Sequence, residues 1–81
     1  MKYFAKFYYI QNEKMISHIG SDCYANLDGR LSIPNMIKQA QKYAYNSRNI
    51  QKIDEIRIFK AIDFRQFIND NGDFLGKIGN N

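Results

Sequence analysis

A single cysteine, Cys23, leaves this chain without any intramolecular disulfide. Small secreted domains usually need such bridges, so a reducing compartment, the cytoplasm, is the expected location. Long apolar stretches are missing too. The longest runs from Phe7 to Ile10, far short of the roughly 20 residues that a membrane-spanning helix needs, so no membrane partner is expected. Lys2 is not followed by an apolar segment of about 7–15 residues, which predicts no signal peptide. Low hydrophobicity combined with high net charge, the mark of a disordered chain, is absent as well.

Residues that carry chemistry are equally scarce. His18 and Cys23 alone could pair as base and nucleophile. Their spacing puts them on opposite faces of a continuous strand, and a bend at Gly20 would leave their geometry undefined. No glycine-rich oxyanion loop accompanies them. One Cys and one His fall short of the three or four ligands of a zinc site. Asp70-Asn71-Gly72-Asp73 has the look of a calcium loop but lacks its spacing and closing Glu, so it reads as a turn. No phosphate-cradling or dinucleotide fingerprint occurs. Asp54-Glu55, the only adjacent carboxylates, point to opposite faces of a strand and read as solubilising charges flanking it. The expectation is no catalytic residue, no metal and no cofactor.

What the chain does have is rings and positive charge. Its 81 residues make one domain, 44% apolar and 15% aromatic, every ring belonging to Phe or Tyr. Such a chain buries about 60–65% of its unfolded surface, and large rings are how a short sequence builds a core. The net charge is +4 and the pI near 9.3, which favours acidic partners such as nucleic acid or an acidic protein surface.

From Lys2 to Ile10 the alternation predicts a strand. Tyr3, Ala5, Phe7 and Tyr9 share one face, which should meet the core; Lys2, Phe4, Lys6, Tyr8 and Ile10 share the other. Gln11-Asn12-Glu13-Lys14 is a polar turn of hairpin length. A second strand follows over about Met15–Leu27, interrupted at Gly20-Ser21-Asp22 by a bulge or a change of direction. Asp28-Gly29-Arg30 turns the chain, with Gly29 free to take a positive φ. Ser32 as cap and Pro34 in the first turn open a helix that carries Ile33, Met36, Ile37, Ala40 and Ala44 on one side. It should end near Tyr45–Arg48. Ile53–Ile62 reads as another strand, with Ile56 and Ile58 opposite Glu55, Arg57, Phe59 and Ala61. Asp63 can cap a short helix bearing Phe64, Phe67 and Ile68, and Asp73–Ile78 can form a short edge strand or docked tail. The predicted fold class is α+β: a small, mostly antiparallel sheet in the order β–β–α–β, of three or four strands. One main helix packs on one face, and residues 63–81 form a short appendage.

The opening Met1-Lys2-Tyr3-Phe4, the segment from Cys23 to Ile33, the helix and the stretch from Ile53 to Phe59 together resemble small ββαβ proteins encoded by phages and mobile elements of low-GC bacteria. The similarity covers roughly residues 1–62. It implies an accessory protein that works by stoichiometric, anti-CRISPR-like inhibition, binding a host protein or nucleoprotein complex and blocking or modulating it. It transfers no catalytic residue.

The second face of the sheet is the candidate binding surface. Lys6 and Tyr8 on the first strand would be displayed beside Arg57 and Phe59 on the later one, basic groups interleaved with rings as in single-strand RNA or DNA binding. The same rings could instead be covered by the C-terminal segment through Phe64, Phe67, Phe74 and Leu75, or form a partner or homodimer interface. Lys38, Lys42 and Arg48 would form a basic stripe on the polar side of the helix, either solvated or touching phosphates or an acidic protein surface.

Overall fold

The structure, a computed structural model, describes residues 1–46 and 52–79. Strand β1 (Lys2–Gln11) organises it, because its ten residues find partners on both edges. Ala5 and Phe7 turn to one face of the sheet and Phe4 and Tyr8 to the other, and all four are buried. Both faces therefore have something to hide. The result is an α+β fold with a five-stranded antiparallel sheet and two helices.

β1 runs into β2 (Lys14–Ser17) through a two-residue hairpin, since Gln11 and Lys14 still pair. Asn12 and Glu13 both take positive φ, 53° and 65°, the backbone of the turn whose twist suits a hairpin. Asn tolerates this conformation; Glu does so at a cost. Glu13→Gly should therefore raise stability by about 0.5–1 kcal/mol, moving the melting temperature up by about 2–6 °C, while Glu13→Ala gains nothing. Thermal melts of the two variants beside the parent check this.

The expected second strand is split. Tyr8 pairs with Ser17, so an unbroken register would set Lys6 opposite residue 19; Lys6 instead pairs with Tyr24, at the start of β3 (Tyr24–Leu27). Five residues (24 − 19) are thus looped out, among them a single 3-10 turn, Gly20–Asp22. Phe7 spans the gap: its carbonyl accepts from the His18 N–H at 3.0 Å and its N–H donates to the Cys23 carbonyl at 3.1 Å. The chain does not change direction there but resumes along the same edge of β1, because both of Phe7's backbone groups hold it in place.

The turn at Asp28–Arg30 closes as expected, with the Asp28 carboxylate accepting the Arg30 N–H at 3.0 Å. Gly29, however, is not in the positive-φ region. Its requirement is space: a Cβ there would lie 2.8 Å from the Tyr3 ring.

Helix α1 (Ile33–Asn46) starts where Ser32 accepts, the Asn35 N–H at its hydroxyl and the Met36 N–H at its carbonyl. Met36, Ala40 and Ala44 recur every four residues and are buried against Ala5, Phe7, Ala25, Ile56 and Ile58. The small side chains of the two alanines are covered by the larger ones of the sheet. Arg48, expected at the helix end, lies outside the described residues.

β4 (Glu55–Ala61) pairs with β1 along seven positions, and β5 (Asp73–Gly79) pairs with β4 at the sheet's edge. Between them α2 (Phe64–Asp70) is capped by Asp63, whose carboxylate accepts the Gln66 N–H at 2.9 Å. This helix sits on the face opposite α1, with Phe67 stacked on Phe4 at 4.4 Å and beside Phe59. The main helix on one face, the short helix capped by Asp63 and the edge strand after it are as expected, and the strand count is corrected from three or four to five. Residues 15–27 supply two strands instead of one. The appendage packs as a paired strand and a second helix because Phe4, Phe59 and Ala61 form an apolar patch that needs cover. Among the described residues no helix is long and apolar enough to cross a membrane.

Candidate functional site

α2 covers one end of the second face and leaves the other end as a cleft. Strand register decides what lines it. Lys6 lies beside Arg57, Tyr8 beside Glu55 and Phe4 beside Phe59 across β1 and β4. Across β4 and β5, Arg57 lies beside Lys77 and Phe59 beside Phe74. A bulge in that last pairing leaves Leu75 unmatched, so Phe74 and Lys77 reach the same face although they are three positions apart. The cleft they frame measures about 350 Å³ and is lined by Glu55, Arg57, Phe59, Asn71, Phe74 and Lys77.

Glu55 lies at its base, only 1% exposed. Burying an ionised carboxylate is tolerated when it is paired and hydrogen-bonded. Arg57 Nε donates to Glu55 Oε1, and Lys77 Nζ lies 3.6 Å from Oε2. The expectation that Asp54 and Glu55 are solubilising charges is corrected here. Glu55 opens β4 and faces inward between β1 and β5. Asp54 has a structural role, its carboxylate accepting the Ile10 N–H at 2.8 Å and its own N–H donating to the Tyr8 carbonyl.

The cations around Glu55 are held in place. The Arg57 guanidinium lies 4.2 Å from the centre of the Tyr8 ring, a cation–π contact that fixes its plane while a third of the side chain stays exposed. The hydrogen bond to Glu55 raises the pKa of Arg57 further above its ordinary value. Lys6 donates to Asn71 Oδ1 at 2.9 Å, with its ammonium about 6 Å from both the Tyr8 and Phe67 rings. Asn71 is the C-cap of α2 in the left-handed region, φ 70°, and its N–H donates to the Phe67 carbonyl. The next residue must be glycine: Gly72 has φ 79°, and a Cβ there would run into the Lys60 carbonyl. Asn71-Gly72 is therefore the turn the sequence indicates, and it carries the contact between helix and sheet.

Burial raises the pKa of the Tyr8 phenol above 10.0, against the opposing pull of Arg57. A folded-state value above the unfolded one means that the neutral phenol's contribution is complete below pH 10.0 and is lost as pH rises through the folded value. Phenolate absorbance should show Tyr8 titrating later than in the unfolded chain, a step that Tyr8→Phe should remove.

The structure brings Lys6, Tyr8, Arg57 and Phe59 together on the second face, as their alternation predicts. It does not display all four. Tyr8 is 7% and Phe59 6% exposed, covered by Arg57 on one side and by Phe67 and Phe74 on the other. The C-terminal segment covers Phe59, Arg57 covers Tyr8, and the cations stay accessible. Leu75, grouped with that cover in the sequence, turns instead to the α1 side. Lys38 and Lys42 are exposed on α1, across the sheet, and take no part in the cleft. Glu55, Asn71 and Lys77 are the residues that sequence reasoning missed at this site, and Phe74 was placed on this face only as cover for the rings. A signal existed for Glu55: it shares a strand face with Arg57 two residues on, an ion pair set between isoleucines.

His18 has a structural partner: its Nε2 hydrogen-bonds to the Lys52 carbonyl, which has no proton to give, so the ring donates. Its ring also packs on Tyr9 at 4.8 Å. No group of three or more His, Cys, Asp or Glu that could hold a metal ion occurs among the described residues. No protein-family model, curated protein or solved structure matches the chain.

Proposed function

We propose that this protein is a non-enzymatic binding module of the phage or mobile-element type, which engages a host protein or nucleoprotein stoichiometrically in the cytoplasm and blocks or modulates it. One observation carries this reading. Arg57 and Lys77 flank a single buried carboxylate, Glu55, with Lys6 next to Arg57 on the same face, leaving positive charge in excess, and Phe74 stands 55% exposed at the same cleft. Arginine, aromatic rings and a partly desolvated pocket are what protein interfaces concentrate at their centres. Glu55, Tyr8 and Asn71 already hold the cations, so little side-chain freedom is lost on binding. Two further apolar side chains, Phe64 and Ile68, extend exposed surface along α2.

A second reading, binding of RNA or single-stranded DNA, is favoured by the same three cations. Successive bases need exposed rings to stack on, and Tyr8 and Phe59 are covered. That weighs toward a protein partner.

The test is an affinity capture from lysate of a low-GC bacterium, with and without nuclease. A stoichiometric protein partner that survives nuclease, and salt well above physiological strength, supports the proposal. Loss of every partner on nuclease treatment, with affinity for single strands falling steeply as salt rises, replaces it with the nucleic-acid reading.

A further inference from the structure

We infer that the cleft between β4, β5 and the C-cap of α2 is a carboxylate subsite, which takes one Asp or Glu side chain from an acidic segment of the partner, with an apolar neighbour resting on Phe74. The inference rests on the protein-binding reading and names its chemistry. Arg57 commits Nε to Glu55, and a guanidinium has four further N–H donors. Lys77, 3.6 Å from Glu55 and 42% exposed, has more donors than that one contact uses. Lys6 gives one donor to Asn71 and keeps the others. The Arg57 and Lys77 donors meet in a cleft whose remaining lining is Phe59, Phe74, Asn71 and the Glu55 carboxylate, and Lys6 holds Asn71 from beside it.

Glu55 selects for the charge of the occupant. It removes part of the positive field and sits directly under the site, so a second anion must approach a carboxylate. Arg57, Lys77 and Glu55 together carry one net positive charge, which one carboxylate neutralises; a phosphate dianion would leave the partly desolvated cleft one negative charge over. Position favours a polypeptide. β5 is the outermost strand of the sheet, so a chain can pass along the edge and insert one side chain without entering a closed cavity.

The experiment is a titration of isotope-labelled full-length protein, followed by its amide resonances. The probes are a blocked peptide of alternating glutamate and leucine, the same peptide with glutamine for glutamate, inorganic phosphate and an oligothymidylate. The acidic peptide should shift the amides of Arg57, Asn71, Phe74 and Lys77 and spare α1. Its glutamine analogue should bind about tenfold or more weakly, the loss expected when charge-assisted hydrogen bonds go. Lys77→Gln should weaken the acidic peptide to a similar degree, whereas Lys14→Glu, on the far edge strand, should not. Equal binding of the two peptides overturns the inference, as do shifts centred on α1 or no binding at all. Tighter binding of phosphate or oligothymidylate than of the acidic peptide at this cleft overturns it too. If Lys77→Gln still captures the partner from lysate with undiminished affinity, the subsite is wrong and the binding-module reading stands. If the parent protein captures no protein partner, it is that reading which fails.

Discussion

Phe67→Ala should destabilise the protein by about 3–5 kcal/mol, the usual cost of truncating a buried phenylalanine to alanine. That is a large part of the roughly 4–12 kcal/mol expected for a chain of this length. Phe67 is 2% exposed and stacks on Phe4, with Tyr24, Phe59 and Phe64 around it. It is the one residue of α2 that is buried. A helix of seven residues has no stability of its own in water, so it stays in place only through what it packs on. Without the Phe67 ring, α2 loses its anchor, and Phe4, Phe59 and Ala61 face solvent. Urea denaturation reads the effect directly. Phe67→Leu should lose much less, about 1–2 kcal/mol, because it keeps most of the apolar volume. A loss below about 1 kcal/mol for the alanine variant would show that the sheet does not depend on its second layer.

Arg57→Leu should cost about 3 kcal/mol, and changing Glu55 to leucine as well should return most of it. The first figure is the low end for breaking a buried ion pair, because a third of Arg57 is exposed and Lys77 stays near the carboxylate. The single variant strands a charge; the double variant removes the charge and its desolvation together. Stabilities of the parent, the two single variants and the double variant form a cycle whose coupling should be well above 0.5 kcal/mol in magnitude (roughly, the limit for independent sites). Additive losses would mean that Glu55 is satisfied without Arg57. A folded double variant that no longer captures the partner would separate the cleft's role in binding from its role in stability.

These two residues also mark where sequence reasoning succeeds and where it stops. Period-two alternation placed Ala5 and Phe7 opposite Phe4, Lys6 and Tyr8, and Ile56 and Ile58 opposite Glu55, Arg57 and Phe59. It did so because the side-chain direction in a strand depends on nothing beyond the strand. Ser32, Pro34 and the four-residue recurrence of Met36, Ala40 and Ala44 specified α1 for the same reason: caps and helical faces are local. The turn at Asn71-Gly72 and the cap at Asp63 were legible as well.

Non-local pairing was not. That residues 15–27 would form two strands follows from Phe7 holding His18 and Cys23 by its backbone, a fact of β1 and not of the segment itself. That Glu55 would be buried follows from β5 closing over one side of β4, and that Lys77 would reach it follows from the unmatched Leu75 in their register. Whether the second face is open or covered depended on where seven residues of helix came to rest. By itself the sequence determined the α+β class, the faces of β1, β3 and β4, the main helix and the positive charge of the chain. The tertiary structure alone decided that the C-terminal segment shields Phe59 with Phe67 and Phe74 and leaves Arg57 and Lys77 at Glu55 with Lys6 beside Arg57, because register and long-range packing are set by partners far away in the chain.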